Sequence, residues 1–144
     1  MANDLVRHEP QLKVRDLMAP SPVTIQAESS LAQVAETLAE YDVSGLPVVD
    51  RGGAVIGVIS QTDIVRLRGG SMPTSGWHSL LVRDLMTHPA ITVPASASLH
   101  EAARLMTEHC VHRLVVVADL GGGPIGVISE SDVVREVVAL TEED

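Results

Sequence analysis

Two short segments carry the residues best suited to chemistry, Ser60-Gln61-Thr62-Asp63 and Ser129-Glu130-Ser131-Asp132. Each follows an apolar, β-branched run and opens a helical pattern. A helix start offers unpaired backbone N–H groups and a positive dipole end, which suits a phosphate, and the Ser60 or Ser129 hydroxyl adds a donor. The same Ser-x-x-Asp spacing is close to a capping box, which would use both side chains on the helix's own amides. The two uses are compatible, because a ligand could displace the cap contacts. Arg113, next to His112 at the mouth of a strand, could hold a phosphate by bidentate hydrogen bonds or pair with a surface acid. Glu130 would repel a phosphate beside the second motif. Arg66 and Arg135 follow each aspartate by three residues and read as facing solvent. In His109-Cys110-Val111-His112, with His100 nearby, three metal-type ligands crowd one helix end, but zinc needs a convergent fourth. Cys110 reads there as a buried structural cysteine, so no metal site is expected. Gly121-Gly122-Gly123 reads as a turn, since no Lys-Ser/Thr follows it. With no catalytic constellation, the chain reads as a non-enzyme.

The elements that must position these groups come as a duplication. Val14-Arg15-Asp16-Leu17-Met18 recurs unchanged as Val82-Arg83-Asp84-Leu85-Met86, and Gly57-Val58-Ile59-Ser60 recurs as Gly126-Val127-Ile128-Ser129. The second match lies one residue further on, which places an insertion around Gly121–Gly123. In each copy a turn ending at Met18 or Met86 leads through a Pro-containing loop to a short strand, Val23–Ile25 or Ile91–Val93. A helix follows, with apolar Leu31, Val34, Ala35, Leu38 and Ala39 on one face, and Leu99, Ala102, Ala103 and Met106 in the second copy. Ser30 with Gln33 and Ser98 with Glu101 form capping boxes at the two starts. Paired strands come next, Leu46–Val49 with Ala54–Ile59 and Leu114–Val117 with Pro124–Ile128, before the final helix. The order is β-α-β-β-α, twice. Expected boundaries are an N-terminal extension 1–12, a first repeat 13–68, a Gly/Pro/Ser linker 69–80, a second repeat 81–140 and an acidic tail 141–144.

Composition narrows the partners. The 144 residues carry a formal charge of -9 and contain no Phe, one Trp and one Tyr. Such a surface repels phosphate backbones and offers no base-stacking platform, so no nucleic-acid partner is expected. No apolar run is long enough to span a membrane, and the N-terminus lacks a signal pattern, so no membrane partner is expected. Cys110 is the single cysteine, which makes a reducing cytoplasm the simplest compartment. The last helix carries Val133, Val134, Val137, Val138 and Leu140, more apolar surface than a small module uses internally, and this predicts a homodimer.

Val-Arg-Asp-Leu-Met, a capped helix, Val43-Ser44-Gly45-Leu46-Pro47-Val48-Val49-Asp50 and Gly-Val-Ile-Ser-x-x-Asp together resemble the CBS domain, and the tandem resembles a Bateman module. The match runs from about Lys13 to Leu140 and leaves no room for a catalytic domain. The resemblance implies an α/β (α+β) fold, two β-α-β-β-α CBS repeats packed sheet to sheet with pseudo-two-fold symmetry and two clefts between them. It implies a regulatory sensor whose ligand is an adenosine-containing molecule such as AMP, ADP, ATP or S-adenosylmethionine, with no other cofactor. It also implies a flat dimer and leaves an effector protein possible as a partner. Carried over residue by residue, Asp63 and Asp132 would accept from ribose hydroxyls, with Ser60 and Ser129 on phosphate or ribose. Adenine would lie against Thr24, Ile25, Gly45, Leu46 and Pro47 in one copy and Thr92, Val93, Arg113 and Leu114 in the other, with His112 alongside. The copies differ where a ligand would sit: Gly45 against Arg113, Pro47 against Val115, Gln61 against Glu130. The alternatives are a ligand-free interaction dimer, and a metal- or redox-responsive dimer centred on Cys110.

Overall fold

The computed structural model describes residues 12–20, 23–43, 45–120 and 122–142. The first eleven residues of the expected extension, Glu143 and Asp144 of the acidic tail, and Ser44 and Gly121 of the quoted motifs lie outside them. In chain order the elements are α1 (Val14–Leu17), β1 (Ala19–Pro20), β2 (Ile25–Gln26), α2 (Leu31–Glu40), β3 (Gly45–Val49), β4 (Val55–Ser60) and α3 (Gln61–Gly69), then a 3-10 turn (Thr74–Ser79). The second half adds α4 (Val82–Leu85), β5 (Thr92–Pro94), α5 (Leu99–His109), β6 (Arg113–Val117), β7 (Pro124–Ser129) and α6 (Glu130–Thr141). The first strand of each repeat sits later than the sequence predicts, because its parallel pairing starts only at Ile25 with Val48 and at Thr92 with Val115. Part of the expected linker is ordered, with the Leu80 N–H closing the 3-10 turn on the Trp77 carbonyl.

Each repeat builds one sheet. β2 runs parallel to β3 and β3 antiparallel to β4, and β5, β6 and β7 repeat this order. The strands are Val- and Ile-rich, as suits sheets buried under helices. One core gathers Val34, Leu38, Leu46, Val48 and Ile59; the other gathers Leu99, Ala102, Met106, Leu114, Val116 and Ile128. The helix stripe is narrower than the pattern implies, since Ala35 and Ala39 are exposed while Val34 and Leu38 are buried. Ser30 and Gln33 close the full capping box at α2. At α5 only half of it forms, with Ser98 Oγ accepting from the Glu101 N–H at 3.1 Å.

The lead-in segments are exchanged between repeats. Val14, from the first repeat, is fully buried in the second core, where its N–H donates to the Ala97 carbonyl at 2.8 Å. Val82, from the second repeat, is buried in the first core and donates to the Ser29 carbonyl at 2.8 Å. Behind them β1 pairs antiparallel with β7, so Ala19 lies against Val127, and Thr87 forms the equivalent bridge to Val58. The unit that repeats in sequence is therefore not the unit that packs together.

Candidate functional site

The helix starts after β4 and β7 are built alike. Asp63 Oδ2 accepts from the Ser60 backbone N–H at 2.8 Å and from its hydroxyl at 3.1 Å, and Asp132 does the same for Ser129 at 2.8 and 3.1 Å. The expected capping box is thus half-formed: the carboxylate caps the serine, while the serine hydroxyl spends its proton on the carboxylate. Asp63 and Asp132 are held in place with lone pairs to spare.

Each of these starts faces a cleft walled by the other repeat. A first cleft of about 200 Å³ joins Ser60, Thr62, Asp63 and Arg66 to Thr87, Pro89–Ile91 and the Cys110–Arg113 turn of the second repeat. A second, of about 350 Å³, joins Ser129 and Asp132 to Val23, Tyr41, Val43, Gly45 and Leu46 of the first repeat, with Ala19 and Pro20 at its edge. Of the expected residues, the first cleft unites Ser60, Asp63, His112 and Arg113, and the second unites Gly45, Leu46, Arg113, Ser129 and Asp132. Ile25, Val93 and Leu114 point into the cores, Pro47 is fully buried, and Thr24 and Thr92 are exposed; none of these six lines either cleft. Alternation along the first strand of each repeat turns Ile25 and Val93 inward and Thr24 and Thr92 outward, whereas Pro47 lies on β3, which is buried on both faces.

Among the residues not foreseen, Ala19, Pro20 and Val23 in one cleft and Thr87 and Pro89–Ile91 in the other follow the lead-in helices. Their signal was present as the Pro-containing loops after Met18 and Met86. What it lacked was the information that these loops serve the opposite repeat. Among the described residues, Tyr41 is the one Phe, Tyr or Trp on the wall of either cleft.

The clefts differ electrostatically. Arg135, expected to face solvent, is largely exposed yet ion-pairs with Asp132, which is buried. Arg66, the counterpart of Arg135, lines the first cleft. Glu130 is also engaged, its Oε1 lying 2.8 Å from His112 Nδ1, so it does not simply oppose an anion. Burial lowers the Arg113 pKa below the usual arginine value, and nearby Asp63 and Glu130 act in the opposite direction.

Arg113 lies across Gly45: its Cδ and Nε sit 2.9 Å from where a Cβ on Gly45 would be. Only glycine leaves room for that packing. Gly45→Ala is expected to cost about 1 kcal/mol, the scale of a small overpacking that a side chain can partly relieve. In an Arg113→Ala background the same substitution should be close to neutral. Chemical denaturation of the four proteins of this cycle checks it, and an unchanged cost would remove the proposed contact.

Cys110 is not buried; it is exposed on the first cleft's rim. It ends α5 in the left-handed region at φ 53°, as Asp42 does at φ 50° after α2, and this turns its side chain off the helix's apolar face. Among the described residues no three His, Cys, Asp or Glu side chains come together as a metal site would need.

The CBS domain model matches residues 14–70 and 82–139. The chain belongs to the CBS domain family. As a CBS pair, it is 30% identical to the CBS-pair protein CBSX2 from Arabidopsis thaliana over 94% of this chain and 100% of that one, with a TM-score of 0.71. A structure of CBSX2 in complex with AMP is 31% identical over 90% of this chain and 98% of that one, with a TM-score of 0.70. A homoserine O-acetyltransferase from Methanocorpusculum labreanum is 33% identical over 108 residues, 75% of this chain. The chain spans about a fifth of that relative's length, 21%, and the same share of an inosine-5'-monophosphate dehydrogenase from Bifidobacterium longum. No helix among the described residues is long and apolar enough to cross a membrane.

Proposed function

We propose that this CBS pair is a non-catalytic regulatory sensor that binds AMP, or a closely related adenosine-containing ligand, in the clefts between its repeats. One observation carries the reading. In each cleft a helix start with an anchored aspartate meets Arg113, from the opposite repeat in the first cleft and from the same repeat in the second, so ribose acceptors and a cation for phosphate converge in both. The likeness to CBSX2, solved with AMP, supports the same choice of ligand. Asp63 and Asp132 take the ribose hydroxyls, the helix starts and Arg113 take the phosphate, and apolar walls such as Val23, Val43 and Ile91 flank the base. Binding acts by favouring one arrangement of the two repeats over another.

Thermal unfolding with AMP, ADP, ATP and S-adenosylmethionine tests it. A ligand at one hundred times its Kd stabilises by about 2.7 kcal/mol, so AMP should raise the Tm by several degrees. No rise with any of the four at millimolar concentration overturns the reading.

A homodimer is part of the proposal, because Val134, Val137, Val138 and Leu140 are 41–59% exposed along α6. The same face would serve a ligand-free interaction dimer or an effector protein, and Val137→Glu with Val138→Glu should then yield a monomer by light scattering. A cytoplasmic setting fits the exposed thiol of Cys110.

A further inference from the structure

Arg113 is the one residue, among those described, that lines both clefts. Its position on β6 corresponds to Gly45 on β3, so the duplicated scaffold supplies one guanidinium where symmetry would supply two. The side chain crosses to the first repeat and rests on Gly45, which itself lines the second cleft. It is only partly accessible, so its range of positions is limited by the two walls it separates.

We infer that Arg113 is the one cation common to the two clefts, the first of which Arg66 also lines, so that anionic ligands in them antagonise one another. This deepens the proposed function and rests on it. A phosphate in the first cleft draws the guanidinium into bidentate hydrogen bonds beside Asp63 and His112. A phosphate in the second cleft, beside Ser129, then lacks its cation. Linkage makes the effect reciprocal, whichever cleft fills first. A neutral nucleoside makes no demand on Arg113 and carries no such coupling.

The test uses the full chain, with AMP and adenosine as probes in titration calorimetry. Ala90→Phe fills the first cleft and Ala19→Phe the second, leaving one site in each variant; a cooperative thermal transition in each shows that it is folded. In the parent, the second AMP should bind about tenfold more weakly than the single-site variants predict. Adenosine should show no such penalty. Arg113→Gln should weaken AMP at both clefts and bring the two bindings back to independence. AMP sites that are independent in the parent, a second AMP that binds more tightly, or a coupling that survives Arg113→Gln would each overturn the shared-cation proposal while leaving adenosyl binding intact. So would AMP binding confined to one plugged variant. Failure of both AMP and adenosine to bind the parent would instead overturn the functional reading beneath it.

Discussion

Asp63→Ala should weaken AMP binding at the first cleft by about tenfold to a hundredfold, the loss of one or two hydrogen bonds to a charged acceptor. The carboxylate is presented by the Ser60 N–H and hydroxyl, which hold one oxygen and leave the rest of its accepting capacity toward the cleft. Asp132→Ala should weaken the second cleft less. That carboxylate is buried and already bonded on both oxygens, to Ser129 and to Arg135, so a ribose there must compete. Loss of the cap costs either variant about 1 kcal/mol of stability. Asp63→Asn separates the two roles, since an amide oxygen still caps Ser60 without the charge. Calorimetry on the three variants decides: no loss at Asp63 would remove the ribose assignment, and equal losses at the two aspartates would remove the competition from Arg135.

The second large effect is on stability. Gly126→Ala is expected to destabilise the chain by about 2–3 kcal/mol, the upper range of overpacking, lowering the Tm by about 5–10 °C. A Cβ there would sit 2.5 Å from Met18 Sδ and 2.8 Å from the Ala19 carbonyl oxygen. The methionine can move. The carbonyl cannot move without breaking the pairing of β1 with β7. Gly57→Ala should behave alike, because Met86 Sδ and the Thr87 carbonyl lie 2.7 and 2.8 Å from its Cβ position. Gly69→Ala, with nothing within 4 Å, should be neutral or slightly stabilising and serves as the control. Thermal unfolding reads all three; a Gly126→Ala protein as stable as its parent would contradict the close approach of β1.

Much of this was legible in the residues. Helical spacing gave Val34 and Leu38 their buried face, and duplicated Gly-Val-Ile-Ser-x-x-Asp placed both aspartates at helix starts. The exchange of lead-in segments was not legible, for a physical reason. Val14-Arg15-Asp16-Leu17-Met18 and its copy at 82–86 are identical, so either docks equally well in either core by pattern alone. Only the geometry of the connecting chain breaks that degeneracy. The error over Cys110 has a different origin: helical periodicity places it on the apolar face, but the residue has already left helical dihedrals for the left-handed region. Thr24 and Thr92 came with the family resemblance, which does not fix side-chain direction: Thr24 lies just before β2 and Thr92 opens β5, and in strands this short a one-residue register decides which face a side chain takes.

The reciprocal burial of Val14 and Val82 makes each half of the chain a wedge for the other. A cut between Gly69 and Gly76 would not yield two autonomous pieces, since each would keep a lead-in helix with nowhere of its own to lie and a core with a hole in it. Mixed together, the pieces are complementing fragments, each carrying the part the other lacks. The same interlock means that neither half can open without unplugging its neighbour, so the module should melt in one cooperative step.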